Sequence, residues 1–178
     1  SVGWETLPGP VPAATVPAMS PPPSRATQLL SWWRRLSPLP FGASLFMFAF
    51  ARLVPYSGAL GARIRSLEPG RVRLELPDRR GIRNHLNSIH AVALANLGEL
   101  ASGLAMTTAL PPGIRGIVLG ISAEYLKKAR GTLTVESVVE VPEVRGSVEH
   151  DVRAEILDAS ADVVARVTVR WRLGPAAE

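Results

Sequence analysis

The chain has 178 residues, 47% of them hydrophobic, enough for one ordinary domain with a buried core. It contains no cysteine, which excludes disulfides, thiolate metal sites and a cysteine nucleophile. Twenty Lys+Arg against fifteen Asp+Glu give a net charge of +5 and a mild preference for anionic partners. The arginines are scattered among acids in strand-like segments and form no basic stripe, which argues against nucleic acid.

Residues 1–24 carry seven prolines and no continuous hydrophobic run, and so read as a disordered or extended tail. The tail lacks the basic start and apolar centre of a secretory signal, so a cytoplasmic protein is expected. Residues 25–57 form a helical extension, predicted as two pieces broken at Pro38 and Pro40. Its apolar stretch, Phe41 to Phe50, is far shorter than the roughly 20 residues of a spanning helix. Three roles fit residues 26–56: packing on the domain or a partner subunit, a lid over an apolar ligand, or a peripheral membrane contact. The last would set Trp32, Trp33, Arg34 and Arg35 at the headgroup level.

From residue 60 the period changes from helix to strand. Ile64 and Leu67, then Val72, Leu74 and Leu76, alternate with charged neighbours around Glu68-Pro69-Gly70, predicting a hairpin with one buried face. A loop rich in Asn and Arg leads into a helix at residues 90–106, ended by Pro111-Pro112-Gly113. Four strands follow, at 115–126, 132–141, 147–157 and 162–173. Two strands, one long helix and four strands argue for an α+β domain over residues 58–174, not a parallel α/β sheet.

At about 100° per residue, Ala93, Leu97, Leu100, Ala101 and Leu104 make the helix's core stripe. Asn96, Glu99, Ser102 and Gly103 fall on the opposite side. A solvated face would be rich in Lys, Arg and Glu, yet Glu99 is the only charged residue between Ser88 and Ala109. That face is therefore expected to be covered. A carboxylate under such a cover is either desolvated, its pKa raised toward the range of a general base, or paired with a basic group and structural.

Asn84, His90-Ala91-Val92 and Glu99, in this strand and helix order, resemble the hotdog fold and in particular its phenylacetyl-CoA type of acyl-CoA thioesterase. That family places an Asn several residues before a His-Gly-Gly and a carboxylate nine residues after the histidine. NHLNSIHA, LGELASG and YLKKARG further resemble a little-characterised hotdog subgroup. Ala91 and Val92 stand where the two glycines would be. The resemblance implies a six-stranded antiparallel sheet wrapped around one long helix, a site between two subunits, and a homodimer or homotetramer. It implies hydrolysis of an acyl-CoA or acyl carrier protein thioester, with coenzyme A entering only as part of the substrate and no other cofactor.

In that scheme Glu99 supplies or activates the nucleophile, and the backbone N–H groups at Ala91 and Val92 hold the oxyanion. Asn84 orients the water or the loop, while Asn96 and Ser102 complete the site. His90 is read either as a loop-fixing hydrogen-bonder or as a base. Lys127, Lys128 and Arg130 are either a solvated strand end or a binding site for the phosphates of coenzyme A or an acidic carrier surface. His85, His90 and His150 lack ligand spacing, so no metal site is expected. Two other readings stay open: a non-catalytic acyl-binding protein, with Ala91 and Val92 closing the entrance, and a hotdog hydratase or dehydratase, whose Asp/His pairing is not evident.

Overall fold

In the computed structural model, which describes residues 24–176, the alternation read from the sequence becomes one antiparallel sheet. Strands β1 (Arg63–Glu68) and β2 (Arg71–Leu76) form the hairpin, turning at Gly70, whose φ of +73° suits glycine. After the central helix come β3 (Ile114–Tyr125), β4 (Leu133–Val138), β5 (Val148–Leu157) and β6 (Val163–Pro175). Their order across the sheet is β1-β2-β4-β5-β6-β3, so β3, the first strand after the helix, becomes the far edge. β4 is shorter than the expected 132–141. The ladder with β2 closes at Val138, Val139 N–H donates to Gly70 O at 2.7 Å, and Pro142 has no N–H to extend it.

One helix fills the concave side of this sheet. Three N-terminal helices, α1 (Arg25–Leu36), α2 (Gly42–Leu53) and the single turn α3 (Pro55–Gly58), precede the long central α4 (Ala91–Ala109). Leu94, Leu97, Leu100, Ala101, Leu104, Ala105 and Met106 of α4 are buried against inward-facing residues of β2, β4, β5 and β6. The architecture is an α+β hotdog fold with an N-terminal helical layer. The Pro-rich segment expected as a tail, residues 1–24, lies outside the described residues except for Ser24, which caps α1 by accepting Thr27 N–H at 3.2 Å. No helix among the described residues is long and apolar enough to cross a membrane.

Helix α1 packs on α4 and β1, and α2 on α1 and β1, with Trp33 edge-on to Phe46, ring centroids 5.5 Å apart. Trp33 is thus buried between the helices and not at the surface expected of a headgroup contact. Their joint at Ser37 to Phe41 is tight: a Cβ on Gly42 would collide with the carbonyl of Leu36, and Phe41 takes a left-handed conformation to start α2.

A second close approach fixes the depth of the core. Gly98 of α4 faces Val167 of β6, and a Cβ there would overlap the valine side chain. Gly98→Ala should therefore destabilise the fold by about 1–3 kcal/mol, the usual cost of overpacking. Val167→Ala in the same chain should recover part of that loss; urea denaturation of the single and double variants would measure both.

Candidate functional site

Only one stripe of α4 escapes the sheet: Val92, Asn96, Glu99, Gly103 and Thr107, spaced four, three, four and four residues apart. The sequence placed Ser102 beside Glu99, and the structure corrects this. The sheet curls far enough that Ser102 is fully buried, its Oγ accepting the indole N–H of Trp171 on β6 at 2.7 Å. Ser102 thus sets Trp171, and the indole in turn walls the space beside Glu99.

The Glu99 half of this stripe is covered by the chain's own N-terminal helices, while Val92 stays exposed. Between them and α4 lies a cavity of about 580 Å³. Arg25, Leu29 and Trp32 come from α1, Phe50 and Leu53 from α2, and Glu99, Gly103 and Thr107 from α4. A volume of this size is within the roughly 300–1,000 Å³ of pockets that bury small organic ligands. Among the described residues, Glu99 supplies the only carboxylate on its wall. Among the described residues nothing hydrogen-bonds or ion-pairs with Glu99, and burial alone pushes its pKa above the ordinary glutamate value.

The helix start forms a second hollow on the same stripe, about 270 Å³, lined by Tyr56, Ile82, His90, Val92, Ala93 and Asn96. His90 is the N-cap of α4, and its Nδ1 accepts Val92 N–H at 3.2 Å. That contact leaves the proton of a neutral imidazole on Nε2. Of the two amides expected to hold an oxyanion, Val92 N–H is therefore engaged, while Ala91 N–H has no partner among the described residues. Tyr125 of β3 donates its hydroxyl to Ala91 O at 3.1 Å and ties the helix start to the sheet edge.

The remaining candidates serve the loop or its flank. Asn84 Oδ1 accepts the N–H groups of Leu86 and Ser88, at 2.9 and 3.2 Å, and closes the turn that precedes the helix. Arg130 Nε donates to Asn87 O at 3.1 Å and fastens the same loop. Lys127 is held by Asp158 at 2.7 Å and Asp162 at 2.6 Å, which raises its pKa, whereas Lys128 is exposed. The structure thus gathers Glu99, Gly103 and Trp171 at one hollow and His90, Val92 and Asn96 at the next. Asn84, Lys127, Lys128 and Arg130 line neither. Among the described residues, no group of three or more His, Asp or Glu is placed to hold a metal ion.

Sequence reasoning did not identify α1 and α2 as walls of the Glu99 cavity, nor Trp171 as its floor. Both follow from tertiary curvature; the nearest signal was the lid role considered for residues 26–56.

The burial of Glu99 fixes the sign of a pH effect. Its ionised form is the disfavoured one, so this group lowers folding stability as pH rises from the ordinary glutamate range through its raised pKa. Glu99→Gln should melt above the wild type near neutral pH, and the advantage should fade as the solution is acidified below the glutamate range. Thermal melts of both proteins across pH measure this.

The chain matches, over residues 42–173, a protein family described as a domain of unknown function, DUF4442. No curated protein matches it. Among solved structures, it is 26% identical to a Pseudomonas aeruginosa protein described as of unknown function and a probable thioesterase. That match covers 78% of this chain and 97% of that one, with a TM-score of 0.67. It is 25% identical to the genomics protein APC5556, over 85% of this chain and 99% of that one, with a TM-score of 0.73. A phenylacetic acid degradation-related protein from Ralstonia eutropha JMP134 shares the fold at 19% identity, over 66% of this chain and 89% of that one, with a TM-score of 0.57. The matched segment takes in α2, α3, the sheet and the helix that carries Glu99, and by that match the chain belongs to the DUF4442 family, within the thioesterase-like hotdog superfamily.

Proposed function

We propose that this protein hydrolyses the thioester of an acyl-CoA or acyl-carrier substrate, with Glu99 as the reacting carboxylate. The observation that carries this reading is the lone, desolvated Glu99 on the wall of a largely apolar cavity. Desolvation makes the carboxylate a stronger base than in water. Water adds to the thioester carbonyl as Glu99 takes its proton, the C–S bond breaks, and the thiol leaves with a proton returned from Glu99. The apolar cavity receives the acyl group. The resemblance to the phenylacetyl-CoA type makes aromatic acyl groups the first to try.

Geometry favours a homo-oligomer for this chemistry. Glu99 lies eight residues beyond Ala91, about 12 Å along the helix at 1.5 Å per residue. One carbonyl cannot touch both groups of a single chain, so a helix start from a second copy is the natural oxyanion donor. The free edge of β3 is long and carries exposed Ile117, Leu119, Ile121 and Tyr125, an arrangement that monomers generally avoid. Of the cations considered for coenzyme A or carrier binding, Lys127 is ion-paired and Arg130 is hydrogen-bonded to the backbone of its own loop, whereas Lys128 makes neither kind of contact among the described residues.

A second reading, acyl binding without turnover, is favoured by one feature: Val92 N–H is capped by His90 and its side chain is 57% exposed where the family's glycine would leave the amide open. Thiol release from short, aromatic and long acyl-CoAs separates the two. The hydrolase should turn over one class, and Glu99→Gln should lose about 10²-fold or more while remaining folded. Acyl-CoA binding without release by the wild type would establish the second reading. Sedimentation should give an oligomer, and a fully active monomer would contradict the shared site.

A further inference from the structure

The outer side of α2 is built unlike the surface of a helix that meets only water. Its inner stripe, Gly42, Phe46 and Met47, is buried in the core. Its outer stripe, Phe41, Leu45, Phe48 and Arg52, spaced four, three and four residues apart, points away from the protein. Phe41 is 86% exposed and Phe48 59%, and the Arg52 guanidinium lies 4.6 Å from the centre of the Phe48 ring. Leu53 and Tyr56 extend the apolar surface past the end of the helix.

The charge of this layer is one-sided. From Ser24 to Leu67 the chain contains no Asp or Glu, while Arg25, Arg34, Arg35 and Arg52 are all exposed on α1 and α2. A second copy of the same face would set arginines against arginines. Protruding aromatic and aliphatic side chains on a convex helix, with arginines whose stems reach past them, suit a lipid interface better than a partner's folded surface.

We infer that the N-terminal helices α1 to α3 dock on an anionic lipid bilayer, Phe41, Leu45 and Phe48 entering the interface and the arginines meeting acidic headgroups. Docking also sets the mouth of the Glu99 cavity against lipid, because Trp32, Leu53 and Val54 are at once exposed and part of its wall. That acyl substrates load from the bilayer rests on the thioesterase reading; the docking does not.

Flotation of the full chain with phosphatidylcholine vesicles, with and without phosphatidylglycerol, tests the docking without turnover, so the two readings can fail separately. Binding should be about 10-fold or more tighter to the anionic vesicles and should weaken as salt is raised. Leu45→Ser with Phe48→Ser should abolish binding with an unchanged circular dichroism spectrum. Arg34→Glu with Arg35→Glu and Arg52→Glu should erase the preference for anionic lipid. Failure of the wild type to float with anionic vesicles at low salt overturns the inference, as does binding indifferent to both sets of substitutions. Capture of an acyl carrier protein in place of vesicles would also overturn it. So would dissociation of an oligomer by the Leu45 and Phe48 substitutions without vesicle binding by the wild type.

Discussion

A helix with one charged residue in nineteen persists in water only if nearly every side of it is covered, and the rest of this fold follows from that requirement. All six sheet strands touch α4, and Gly98 lets the helix sink until its backbone meets Val167. The sheet cannot close around the last stripe, where Val92, Asn96, Glu99, Gly103 and Thr107 remain. Over the Glu99 half of it the N-terminal helices complete the cover, leaving a cavity in place of solvent.

Burial and chemistry are linked through that cover. A carboxylate facing water at this position would titrate normally and act as a weak base. Roofed by Leu29, Trp32 and Phe50, with no cation among the described residues bonded to it, Glu99 holds its proton more tightly. Trp171 adds a rigid wall because its N–H is satisfied by Ser102, a serine buried in the core. Buried polar groups normally find partners, and Glu99 finds none among the described residues, which distinguishes it from the paired carboxylates of Asp78 and Asp158.

The fold was largely legible in the sequence because its signals are local. Period-two alternation in β1, β2, β5 and β6 and the proline breaks around α4 place those elements within a residue or two, except that the helix runs three residues beyond its expected end at 106. The importance of Glu99 was also legible, as a charge out of place. Ser102 was misplaced because angular position on a helix says nothing of how far a sheet curls around it. Here the curl carries β6 past the core stripe to Trp171. A hydrogen-bonding role for His90 at the helix entrance was legible, but its partner, Val92 N–H, was not, since that depends on the φ and ψ of the loop residue and not on residue type alone. The source of the cover over Glu99 lay beyond local pattern too, because the packing of α1 against α4, and of α2 against α1 and β1, is tertiary contact.

The candidate site turns on the state of one carboxyl group. NMR titration of side-chain carboxyl carbons, with Glu99 identified by the signal missing from Glu99→Gln, reports that state directly. A midpoint clearly above the ordinary glutamate range would agree with a desolvated, unpartnered carboxylate inside the cavity. A midpoint at or below that range would place Glu99 in water or beside a cation, and would contradict the site as described.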